Sequence, residues 1–150
     1  MFRSTLLLLW ITTILSVSAD FAQAANIPKL NFAPGQMWSI KSATPTTTKV
    51  IIGRREEWGG KIAVHVSVID VPIPSDMPGA GRTTTVHHMP FDEAALAASV
   101  DQLLVTDASP APNFESGYAQ WQSADGGIYT INVSKAVEIL FDTLRQQSRS

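Results

Sequence analysis

The chain contains no cysteine in its 150 residues. That excludes a disulfide scaffold, any zinc or iron–sulfur site built on thiolates, and a lipid anchor on an acylated cysteine. An excess of one charge is also lacking: 11 basic against 13 acidic residues leave a formal net charge of −2. Basic residues are scattered except for Arg54-Arg55, which Glu56-Glu57 offset in sequence, so no basic footprint for nucleic acid exists. Phosphate cradles are missing, because Gly79-Ala80-Gly81-Arg82 has neither the strand-to-helix setting nor the later glycine or Lys-Ser/Thr that such a loop needs. A Gly-x-Ser-x-Gly elbow and a His-Glu-x-x-His pair are absent as well, which removes the local signatures of serine hydrolases and zinc proteases.

What is present begins with an export signal. Arg3 precedes an apolar run from Leu6 to Val17, followed by small residues. The run is shorter than the ~20 residues of a bilayer span. Cleavage fits after Ala19 or after Ala24, and the second is preferred because Ala22 and Ala24 fill both critical small positions. The signal is therefore read as residues 1–24 and the mature domain as 25–150, in the periplasm or secreted, with no stable membrane span after cleavage. Losing Arg3 and Asp20 leaves the net charge unchanged. An exported domain without disulfides must be held by its hydrophobic core.

Gln36–Ile40 reads as a first strand and Ser42–Lys49, rich in threonine, as a loop. Val50–Trp58 and Lys61–Ile73 are β-branched runs joined by Gly59-Gly60, a two-residue hairpin signal. A constant register pairs 58 with 61, 54 with 65 and 52 with 67. It puts Ile51, Gly53, Val64, Val66 and Val68 on a core face, and Ile52, Arg54, Glu56, His65 and Ser67 on the other. Pro72–Gly81 is a Pro/Gly loop and Thr83–Met89 a strand. Asp92 is placed to cap a helix whose apolar positions are Leu96, Val100, Leu103 and Leu104, ending before Asp107, with Phe91 stapled onto Leu96. Phe114, Tyr118 and Trp121 lie at helical spacing behind Asn113, although a strand over 118–123 competes with that reading. Ile128–Val133 reads as a last strand, and Ser134 as the cap of a helix with a stripe of Val137, Leu140, Phe141 and Leu144. The expected architecture is α+β: an antiparallel sheet of four to five strands with two to three helices packed on one face.

Pro34-Gly35-Gln36-x-Trp38, Val64-His65-Val66-Ser67, His88-Met89-Pro90-Phe91, Phe114-x-x-Gly117-Tyr118-x-x-Trp121 and Gly127-Ile128-Tyr129-Thr130-Ile131 occur in an order that resembles a family of small bacterial proteins of unknown function. The likeness spans most of residues 34–141. It implies one α+β domain and a helix around Gly117, and it brings no activity or catalytic residue with it.

Chemistry could rest on His65, His87 and His88, the only histidines. His87 and His88 are neighbours on a strand and point to opposite faces, so at most one can join His65. A metal would need a third ligand from Glu56, Asp70 or Asp92, and no spacing selects one. The simpler reading pairs His65 across the hairpin with Arg54 or Glu56. No catalytic residue, metal or cofactor is assigned. Trp58 beside the turn is poorly placed for a core. Arg54, Glu56, Trp58 and His65 are thus the candidate binding residues, with His88, Tyr118 and Trp121 as weaker candidates. The expected function is an exported, non-catalytic binding or interaction module, inhibitor-like roles included, for a protein, peptide or glycan of the cell envelope and not for nucleic acid. The alternatives are a small metal-assisted or acid–base hydrolase centred on His65 and His88, and a structural subunit of an envelope assembly.

Overall fold

The computed structural model describes residues 30–44 and 46–149, so the segment read as an export signal and both expected cleavage positions lie outside the described residues. Strands β1 (Met37–Ile40), β2 (Lys49–Trp58), β3 (Lys61–Pro72), β4 (Thr83–Asp92) and β5 (Val100–Val105) form one antiparallel sheet in the order β4-β3-β2-β1-β5. Helices α1 (Glu93–Ser99), α2 (Phe114–Ser123) and α3 (Val133–Gln147) accompany it. The α+β class and the five-stranded sheet agree with the expectation.

The Gly59-Gly60 turn, with both residues at positive φ, closes the β2–β3 hairpin in the expected register from Trp58↔Lys61 to Arg54↔His65. Beyond it the register shifts by one at Gly53, so Ile52 faces Val66 and Val50 faces Val68. A bulge of one residue exchanges the two faces of everything past it. Ile52, not Ile51, therefore joins Val64, Val66 and Val68 in the core, while Ile51, opposite Ser67, turns to the other face. Against the core face lie α1 and α3, which contribute Leu96, Val133, Ala136, Val137 and Phe141 to the same cluster as Val50, Met89 and Phe91. Helix α2 packs on the opposite face, over His65 and His88.

Three further sequence readings are corrected. First, the helix capped by Asp92 is real, since its carboxylate accepts from the Ala94 and Ala95 N–H groups, but it ends at Ser99. Ser99 is buried; its hydroxyl donates to the Ala95 carbonyl and accepts from the Val133 N–H, fixing the helix end. Val100 is already extended, and Val100–Val105 pairs with β1 rather than continuing the apolar helical stripe. A distant strand partner outweighs local periodicity here. Second, Ile128–Val133 is no strand: Tyr129 makes one parallel bridge to Phe91, donating to the Pro90 carbonyl and accepting from the Asp92 N–H. Third, α3 is capped by Asn132, which accepts from the Lys135 N–H, not by Ser134. Replacing the Asp92 cap with alanine is expected to lower stability by about 1 kcal/mol in denaturant melts, while Asp92→Asn retains most of it.

Candidate functional site

Strands β2, β3 and β4 deliver Arg54, Glu56, Trp58, His65 and His88 to one face of the sheet, and α2 delivers Tyr118 and Trp121 above them. All seven candidate residues therefore meet in one cluster. His87 points away and is exposed, so only one of the adjacent histidines joins His65.

His65 is fully buried. Its Nδ1 lies 2.9 Å from His88 Nε2, with the two rings only 16° apart in plane. Its Nε2 is 3.0 Å from Glu56 Oε1, within ion-pair range but off the ring N–H direction, so neither atom has an aligned hydrogen bond. The carboxylate favours a proton on His65 Nε2, which makes Nδ1 the acceptor and His88 Nε2–H the donor. The chain Glu56–His65–His88 thus has a defined polarity, with the His88 Nδ1 lone pair left to take any further proton.

Aromatic edges enclose the pair. Tyr118 meets His65 at a centroid distance of 5.0 Å and 86°, and Trp121 meets it at 4.5 Å and 70°. Phe114 meets His88 at 5.4 Å and 68°. Burial and the neighbouring His88 push the His65 pKa down to about 4, against the opposing pull of Glu56. Burial likewise lowers that of His88, against the pull of Glu115. Burial and the adjacent Glu56 raise that of the Tyr118 hydroxyl. Both histidines are therefore held neutral at physiological pH.

The remaining candidates fasten α2 down. Trp58 packs against Trp121 with ring centroids 4.3 Å apart and planes tilted by 47°, and donates its indole N–H to the Gly126 carbonyl at 3.1 Å. It is thus a structural clamp rather than a free aromatic at the hairpin tip. Arg54 lies 4.2 Å over the Tyr118 ring and pairs with Glu115 at 3.2 Å. Two close approaches complete the seat. A Cβ on Gly53 would fall 2.3 Å from Phe114 Cζ, and one on Gly117 would fall 2.7 Å from His88 Cβ. Sequence reading missed Phe114, Glu115 and both glycines as members of the cluster. The signal available was Gly117 within an otherwise helical stripe, where a glycine calls for a packing reason.

Among the described residues no three His, Asp or Glu side chains are arranged to hold a metal ion. A cavity of about 390 Å³ beside the cluster is lined by Pro90, Trp121, Gly127, Ile128 and Tyr129, without either histidine. Another, of about 290 Å³, lies between α3 and the ends of β1 and β3, with Ile40, Val71, Val137 and Phe141 among its walls. The histidine pair can store and orient a proton, but access to it is roofed by α2.

The opposite side of the sheet order is different in character. Strand β5 is exposed from Asp101 to Val105, with Leu103, Leu104 and Val105 at 43%, 44% and 37% exposure. It pairs β1 on one side, and no strand pairs its other side among the described residues. The far edge, β4, carries Pro90 and is bridged by Tyr129. Searches against protein-family models, curated proteins and solved structures found no match to this chain.

Proposed function

We propose that the chain is an exported, non-catalytic interaction module that takes an extended segment of a partner polypeptide along β5. The observation that carries this reading is the contrast between the two sheet edges. Edge strands present a row of unpaired N–H and C=O groups, and proteins usually blunt them with proline, charge or covering chain. β4 has proline and a covering segment; β5 has three consecutive exposed apolar residues and one charge, Asp101. A polypeptide fits this edge best, because strand addition supplies backbone hydrogen bonds and alternate side-chain contacts. The hydrolase reading has less support, since His65 is fully buried and Phe114 and Gly117 cover His88.

A photo-crosslinking amino acid placed at Leu104 tests this, with one at the exposed His87 as control. The expected result is a discrete adduct from position 104 in the native envelope, absent from 87. Leu104→Lys should reduce formation of the native complex by ~10-fold or more, and leave unfolding free energy within about 0.5 kcal/mol. Equal labelling from both positions, or a complex indifferent to Leu104→Lys, overturns the proposal.

A further inference from the structure

The α2 seat is separate from the main core. The core cluster draws on the sheet, α1 and α3, and contains no residue of α2. The helix buries Phe114 and Tyr118 against the other face instead, and it is bounded in sequence by Pro110 and Pro112 before it and Gly126-Gly127 after it. A unit with its own small contact set can open without global unfolding. What lies beneath it is a hydrogen-bonded pair of histidines in an aromatic enclosure.

We infer that α2 is an acid-released strap: protonating the His65–His88 pair lifts Phe114–Ser123 off the sheet while the five-stranded core stays folded. This inference is independent of the edge-strand reading. The first proton goes to His88 Nδ1, the free lone pair of the assigned tautomers, and the pair then carries a positive charge against the rings of Phe114, Tyr118 and Trp121. Charged and titratable groups face the pair from each packed element: Arg54 and Glu56 on β2, Glu115 and Tyr118 on α2, and the two histidines on β3 and β4. Glu56 and Glu115 favour the charged histidines, whereas burial and Arg54 oppose them at His65. Burial is the leading influence on both rings, so the seated helix prefers them neutral and the released helix does not. With folded-state affinities for the proton below the ordinary 6.5, the unseated form binds more protons at any pH below that value. Seating is accordingly complete above about pH 6.5 and weakens as pH falls toward about 4. Release exposes the buried Tyr118 on the helix and uncovers the faces that the half-buried Trp121 and Trp58 turn to each other in the seated form.

Tryptophan positions make a direct test. Trp58 and Trp121 are partners across the seat, whereas Trp38 belongs to the main core. In the intact protein labelled with 5-fluorotryptophan, the fluorine resonances of 58 and 121 are expected to move together between pH 6.5 and 4, with that of 38 unchanged. The paired substitution His65→Gln with His88→Gln keeps neutral, hydrogen-bonding side chains and is expected to abolish the movement above pH 4.5. If that pair fails to fold, His88→Gln alone should move the midpoint to lower pH, because it removes the site of the first proton. The resonances of 38, 58 and 121 moving in one step, no movement of 58 and 121 down to pH 4, or an unchanged transition in the variant would each overturn the inference.

Discussion

Gly117→Ala is expected to destabilise the protein, reversing the ordinary effect of that substitution in a helix. In an exposed helix interior, alanine in place of glycine gains about 1 kcal/mol. Gly117 lies inside α2, where a Cβ would fall 2.7 Å from His88 Cβ, an atom fixed to the β4 backbone rather than the end of a flexible side chain. Either the helix moves outward or the strand bends, and overpacking of this kind costs about 1–3 kcal/mol. The net change in urea unfolding should therefore be a loss, with Tyr118 and Trp121 drawn away from His65. A gain in stability would mean that α2 does not sit on His88 as described. The sign alone decides the matter.

The second large effect separates the two cores. Phe91 is fully buried in the main cluster, with its ring 5.5 Å from Tyr129. Phe91→Ala is expected to lower global stability by about 3–5 kcal/mol, exposing β3, β4 and α3 together. Phe114 is almost as buried, at 2% exposure, yet it contacts Gly53 and His88 on the other face. Phe114→Ala removes a comparable volume from a seat that only α2 uses. Its main effect should be loss of hydrogen-exchange protection in residues 114–123, with protection in β2 and β3 retained. Equal loss of protection throughout the chain in both variants would make the two faces one cooperative unit and contradict the division drawn above.

Local chemistry made much of this architecture legible. The Gly59-Gly60 turn, the Asp92 cap and the helix of Phe114, Tyr118 and Trp121 each rest on interactions a few residues apart, and each is found where expected. The α3 stripe is partly so: Val137 and Phe141 are buried, but Leu144 is 42% exposed. The errors arose where a distant partner decided. Leu96, Val100, Leu103 and Leu104 satisfy helical spacing, yet only the unpaired side of β1 makes Val100–Val105 a strand. The bulge at Gly53 is likewise invisible in a β-branched run, because what occupies the space is Phe114, far away in sequence. Cluster membership followed the same rule. His65 opposite Arg54 and near Glu56 could be read from hairpin register, whereas its contact with His88 required β4 to lie beside β3.

These placements change the meaning of the candidate residues. In the sequence Trp58, Arg54 and His65 are polar or amphipathic side chains near a hairpin tip, within reach of a ligand. In the folded chain Trp58 holds the Gly126 carbonyl, Arg54 covers Tyr118, and His65 shares a hydrogen bond with His88. They attach α2 to the sheet, and a run of three exposed apolar residues lies at β5 instead.

The ionisation of His65 and His88, followed by nitrogen-15 NMR of the imidazole rings from pH 8 to pH 4, tests most directly whether this cluster is a closed seat or an open site. The expected result is two neutral rings at pH 7, each with its proton on Nε2, coupled to one another and taking up the first proton only below pH 6.5. Two independent titrations at or above 6.5, with rapid exchange of the ring protons with water, would contradict it.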